Sequence, residues 1–232
     1  MSEPIPTTPS ATPNEANPGV YNGLVMKVVY TIWVHGISHR LAWGLSNQWI
    51  RRSYRVWSGP VHLSIGPGNG RFLHHLPRRV RELHLMDINT KCLSMATRAL
   101  YRRPVAVHGH RQDVLDVWRD LPEESVDSID CMMVIHCLRG ASLQDKLSFL
   151  AEAHRVLAQG GVFFGATVLA GGEGVKVNRF ARLLMKIYNG RKNTFCNTGD
   201  TFTDLDALVR TYFPKADIRV QGCTGTIVAV KA

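Results

Sequence analysis

The sequence predicts an α/β fold: a mostly parallel sheet with helices on both faces and an antiparallel pair of strands at one end. Three observations predict it. Strand-like apolar runs alternate with helical patterns from residue 61 to about residue 213. The run Ser128–Cys137 is almost wholly apolar, as a central parallel strand covered on both faces must be. The chain then ends in two strand patterns joined by the short Gly222–Gly225 turn, which reads as a hairpin.

Taken in order, residues 1–19 carry five prolines among Ser, Thr and Asn, and are expected to form a flexible tail with too little apolar surface to order itself. From 20 to 57 the chain is rich in aromatics (Tyr21, Tyr30, Trp33, Trp43, Trp49, Tyr54, Trp57) at mixed but nearly helical spacing. Two or three helices lying over one end of the sheet as a lid are expected there, and residues 58–232 form the core of a single domain. Val61–Gly66 is the first strand and runs into a glycine turn, with a helix start at Arg71. Glu82–Asp87 is the second strand. Thr90–Tyr101 is a helix with Leu93, Ala96 and Leu100 on one stripe, and Val105–Val107 is a short third strand. After the fourth strand, Ser142-Leu143-Gln144-Asp145 resembles a capping box, and Gly160-Gly161 ends the helix it opens. Val162–Leu169 is the fifth strand. Arg179–Tyr188 is a helix, and a cap at Thr203–Asp206 opens another that ends near Phe213. Asp217–Gln221 and Thr226–Lys231 complete seven strands.

Composition bounds the partners. The chain has 232 residues, a net charge of +10 and five cysteines without a C-x-x-C pair. An odd, unpatterned set of cysteines fits a reducing cytoplasm. No signal-peptide pattern opens the sequence, and the Gly23–Val34 apolar stretch is too short to span a bilayer. The basic residues are spread in doublets rather than a run, which disfavours nucleic acid as a partner and leaves a small molecule. No metal site is expected. The oligomeric state is open, a homodimer included.

The chemistry concentrates at the carboxyl ends of the strands, where open α/β sheets bind ligands. Gly66-Pro67-Gly68-Asn69-Gly70 follows the first strand. A dinucleotide fingerprint needs glycines at positions 66, 68 and 71, but 71 is Arg and the third glycine is at 70. That spacing points away from NAD and FAD toward another adenosyl cofactor. Asp87 ends the second strand, 21 residues after Gly66, and suits the two hydroxyls of a ribose; it also reads as a helix cap, since Asn89 and Thr90 follow. Gln112-Asp113-Val114 follows the third strand. His136 emerges from the end of the apolar fourth run.

The order of glycine loop, Asp87, Asp113, apolar fourth strand and Gly160-Gly161 resembles the class I S-adenosylmethionine-dependent methyltransferases, over roughly residues 60–232. Val20-Tyr21-Asn22, Ser46-Asn47, His136–Gly140, Phe164–Thr167 and Tyr188-Asn189-Gly190 narrow the likeness to small bacterial and fungal enzymes of natural-product pathways. The resemblance implies a Rossmann-like doubly wound seven-stranded sheet, S-adenosyl-L-methionine as cofactor and S-adenosyl-L-homocysteine as product. It implies that Gly66, Pro67 and Gly68 face the methionine part, Asp87 the ribose, Ile88 and Asn89 the adenine, with Asp113 and Val114 completing the adenine site. His136 would lie near the methyl donor. It is also the first candidate for a general base, ahead of His35 and His39. The family usually places an acidic residue two positions before the first glycine; this chain has Ser64. Two other readings stand beside a small-molecule methyltransferase: a nucleic-acid methyltransferase, motivated by the charge, and a non-catalytic cofactor binder, motivated by Ser64.

Overall fold

The computed structural model describes residues 41–190 and 194–232. The expected tail, most of the lid, His35 and His39 lie outside the described residues. Seven strands, β1 (Val61–Ile65), β2 (Glu82–Asp87), β3 (Ala106–Arg111), β4 (Val126–Met132), β5 (Leu157–Val168), β6 (Asp217–Gln221) and β7 (Thr224–Val230), form one sheet in the order β3-β2-β1-β4-β5-β7-β6. The pairs from β3 through β5 are parallel; β7 is antiparallel to β5 and β6.

Each strand feeds both faces, because successive side chains point to opposite sides. Leu63, Ile65, Ile129 and Phe163 pack under α3 (Leu147–Val156) and α5 (Phe202–Tyr212). Leu83, Leu85, Met132 and Phe164 pack under α1 (Asn47–Trp57) and α2 (Thr90–Ala99). A third cluster joins Trp43, Val168, Phe195 and α4 (Arg179–Asn189). The caps follow elementary chemistry: the side chains of Ser46, Asn89, Asn178 and Thr201 each accept a backbone N–H from the first turn they open.

Several expected boundaries move. The sequence pattern after Gly70 suggests a helix, but only one 3-10 turn forms, Phe72–His75, with Pro77 following. β3 continues to Arg111 although His108, Gly109 and His110 break its apolar pattern, because all six of its residues pair with β2. β4 stops at Met132: Met133 takes a left-handed φ of 62° and turns the chain into the 3-10 segment Ile135–Cys137. His136 therefore sits in a turn beyond the strand, not at its last residue. Gly160 and Gly161 lie inside β5 rather than after α3, which ends at Val156; the parallel register with β4 shifts there. Thr224 and Gly225 belong to β7, so the hairpin turn shrinks to Gly222-Cys223.

Candidate active site

The carboxyl end of β1 opens into the glycine turn, and two glycines in it do different work. Gly66 has φ of 61°, and its N–H donates to Met86 O of β2 at 2.8 Å. A Cβ there would stand 2.5 Å from Val134 Cγ2, so the turn is pressed against the segment that follows β4. Gly68 also has a left-handed φ, 56°, yet among the described residues a Cβ on it would meet no atom within 4 Å. Its conformation and open face leave the backbone free for a ligand to approach closely.

β2 delivers the next group. Asp87 Oδ1 accepts the Asn89 N–H at 2.8 Å, while Asn89, not Asp87, caps α2. Burial pushes the Asp87 carboxyl up to about 6, against the hydrogen bonds from Asn89 and Cys92 that pull it down. A half-buried carboxylate held this way gains from further donors. Ile88 and Asn89 are half-buried beside it. Gln112 N–H donates to Asp87 O, which brings the segment after β3 alongside. In that segment Asp113 Oδ1 accepts Leu115 N–H at 3.0 Å and Oδ2 pairs with Arg139 at 2.7 Å. Val114 is buried in the core, and its carbonyl accepts the indole N–H of Trp118. Gly66, Pro67, Gly68, Asp87, Ile88, Asn89 and Asp113 thus stand at the carboxyl ends of three neighbouring strands, and the Arg139 pair ties Asp113 to the turn after β4.

On that turn His136 is buried. Its Nδ1 accepts the Val168 N–H at 3.3 Å and meets Thr167 Oγ1 at 3.4 Å, which in a neutral ring places the proton on Nε2. Both contacts are longer than the usual range and hold Nδ1 loosely. Phe195 packs edge-on against the imidazole with ring centres 4.4 Å apart, and Trp43 and Tyr188 flank Phe195 at 5.8 and 4.9 Å.

Comparison with known proteins bears on this arrangement. A methyltransferase-domain family model matches residues 63–165, the stretch from β1 into β5. Demethylluteothin O-methyltransferase of Streptomyces thioluteus is 32% identical over 199 residues, covering 85% of this chain and 84% of the relative. The chain belongs to the class I S-adenosylmethionine-dependent methyltransferases. Methyltransferase ctvB of Aspergillus terreus is 30% identical over 211 residues, 88% of each chain. Among solved structures, a SAM-dependent methyltransferase of Thermotoga maritima shares the fold at a TM-score of 0.61 and 17% identity, covering 90% of this chain and 96% of its own.

S-Adenosylmethionine is the cofactor of this methyltransferase, and the open face of Gly68 together with the underused carboxylate of Asp87 fits it. Among the described residues no helix is long and apolar enough to cross a membrane, and no group of His, Cys, Asp or Glu is arranged to hold a metal ion.

The methyltransferase also contains polar groups that the pattern of its sequence did not single out. Lys146 is fully buried, and its Nζ donates to Asp200 at 2.9 and 3.1 Å and to Cys196 O at 3.2 Å. Asn189 and Asn197 exchange side-chain and backbone hydrogen bonds, and Asn197 Nδ2 donates to Val168 O. Together these bonds clamp residues 194–201 over the ends of β4 and β5, where that segment presents Phe195 to His136. A second network lies beneath the glycine turn. Tyr54 of α1 donates to Asp130 Oδ1 at 2.7 Å, and His62 bridges Asp130 Oδ2 at 3.1 Å and Ser128 Oγ at 2.7 Å. Asp130 was legible in principle: a carboxylate inside a buried apolar strand must find partners.

Proposed function

We propose that this methyltransferase acts on a hydroxyl oxygen of a small organic molecule with an apolar, ring-rich body, in a route of secondary metabolism. The observation that carries the reading is the wall at the ends of β4 and β5: Phe195, backed by Trp43 and Tyr188, against the imidazole of His136. Such a wall suits an aromatic or polyene acceptor better than a phosphate backbone. The names of relatives agree, the Streptomyces thioluteus protein and adaD of Aspergillus niger both being O-methyltransferases; adaD is 28% identical over 206 residues. Five cysteines, none of them in a disulfide, support a reducing, cytoplasmic setting.

Bound S-adenosylmethionine supplies a methyl group on a positively charged sulfur. The chain's own part is alignment and the handling of one proton. The backbone of Gly66, Pro67 and Gly68 receives the methionine end; Asp87 accepts from the ribose hydroxyls. Ile88, Asn89, Asp113 and Val114 bound the adenine, with Asp113 fixed by Arg139. His136 takes the proton of the acceptor hydroxyl at Nδ1, exchanging its long contact with Val168 N–H. Holding both reactants in one geometry supplies most of the acceleration, and the base adds the remainder.

The test is an acceptor panel of phenols, enols, amines and RNA incubated with the full chain and cofactor, read by mass spectrometry. Methylation confined to hydroxyl acceptors is expected. Methylation of RNA or of amines alone, or cofactor binding with no transfer to any acceptor, would overturn the proposal.

A further inference from the structure

The Tyr54–Asp130–His62–Ser128 network is fully enclosed. Gly59 N–H donates to Ser128 Oγ at 2.7 Å. His62 Nδ1 lies 2.7 Å from Ser128 Oγ, and its Nε2 lies 3.1 Å from Asp130 Oδ2, which can only accept. Tyr54 donates to Asp130; burial and that neighbouring carboxylate push its phenol well above its ordinary range, against a smaller downward pull from the Ser64 hydroxyl beside it. Asp130 therefore receives one donor on each oxygen, Tyr54 on Oδ1 and His62 on Oδ2, and among the described residues no lysine or arginine pairs with it. A carboxylate has about four acceptor positions, so two remain.

What lies beside those positions is informative. β1 and β4 pair so that Ser64 stands directly opposite Asp130, on the face that carries His62 and Tyr54. On the other side Asp130 is in register with Phe164, whose ring stacks on His62 and meets Tyr54 edge-on. The apolar side is closed. Ser64 is wholly buried, and among the described residues its Oγ, which lies beside the Tyr54 phenol, has no partner in good hydrogen-bond geometry. An orphaned buried hydroxyl is costly unless a ligand satisfies it. It lies two residues before Gly66, where the backbone opens.

The cofactor brings an ammonium group to its amino-acid end, into a chain of net charge +10. We propose that Asp130, acting through the Ser64 hydroxyl, is the anionic positioning residue for the amino-acid end of S-adenosylmethionine. In this arrangement Ser64 Oγ accepts from the ammonium and donates its own proton to Asp130. Tyr54 and His62 fix the carboxylate, so helix α1 is coupled to the cofactor pocket through one hydrogen bond. The assignment rests on the reading of Gly66–Gly68 as the cradle of the methionine part.

Two ligands separate this role from a structural one. S-Adenosylhomocysteine has the amino-acid end; 5′-methylthioadenosine keeps the adenosine and thioether but lacks it. Calorimetric titration of the full chain should show that Asp130→Asn weakens S-adenosylhomocysteine about tenfold or more, while 5′-methylthioadenosine changes less than about twofold. Ser64→Ala should show the same selectivity at a smaller size, and serves if Asp130→Asn does not fold. Adding Ser64→Asp to Asp130→Asn should restore part of the lost affinity. Unchanged S-adenosylhomocysteine affinity, or parallel losses for both ligands, overturns the assignment. A wild-type chain that binds 5′-methylthioadenosine but gains nothing from the amino-acid end overturns it too. If wild type binds neither ligand, the cradle reading fails first and this one falls with it.

Discussion

The two halves of the pocket floor are built from different materials. At the ends of β1 and β2 the site is backbone: two left-handed glycines, one of them facing open space, and a single half-buried carboxylate. At the ends of β4 and β5 it is side chain: His136 and Phe195 under a segment held by a buried Lys146–Asp200 pair and an Asn189–Asn197 clamp. A cofactor of fixed shape can be met by backbone, whose geometry a few glycines dictate. An acceptor is met by side chains that other side chains must hold in place. The comparison teaches that damage to the first half should appear as lost cofactor affinity, and damage to the second as lost stability or turnover.

The largest effect is expected from Lys146→Met. Removing the ammonium leaves Asp200 buried and unpaired, beside Asp145 and Asp204, which add to the upward push that burial already gives its carboxyl. A stability loss of about 3–5 kcal/mol is expected in denaturant unfolding. Lys146→Met combined with Asp200→Asn should recover a good part of it. A loss under about 1 kcal/mol in the single variant would show that the clamp holds nothing.

Asp87→Ala should reverse that pattern. Two donors lost from a charged acceptor amount to about 3 kcal/mol, a decrease in cofactor affinity of about a hundredfold, with little change in melting temperature. The sign follows from its raised value near 6. In the free chain the ionised form is the disfavoured one, so the Asp87 contribution to stability is full below about pH 4 and falls as pH rises through 6. At neutral pH, removing the carboxyl relieves its desolvation while giving up the bond from Asn89 N–H, so the two effects on the free chain oppose each other. Ribose donors favour the ionised form, so cofactor affinity should fall as pH drops from 7 to 5. Asp87→Asn should flatten that slope; an unchanged slope would assign the proton elsewhere.

His136→Ala should lower turnover by about tenfold to a hundredfold while leaving cofactor affinity within about threefold. Equal turnover would remove the imidazole from proton transfer and leave it a packing group.

The division between the halves also explains what the sequence made legible. The glycine turn, Asp87 and the strand alternation are local signals, readable from a few neighbouring residues. Lys146 and Asp200 lie 54 positions apart, and Tyr54 and Asp130 lie 76 apart; nothing local announces either pair. The errors in boundary have the same origin. β3 extends through two histidines because pairing with β2 outweighs its poor pattern, and β4 ends early because Met133 turns left-handed inside an apolar run. Gly160-Gly161, which reads locally as a helix end, is a register shift that only the neighbouring strand reveals.

The central claim, that the glycine turn seats the cofactor, meets its most direct test at Gly68. Gly68→Ala adds a Cβ that touches none of the described residues but stands on the open face. Its left-handed φ makes a stability cost of about 1–2 kcal/mol the only expected effect on folding. Titration with S-adenosylhomocysteine should give saturable one-to-one binding to the wild-type chain, weakened about tenfold or more in Gly68→Ala. Equal affinity in the two proteins, or no binding to the wild type, would contradict the account.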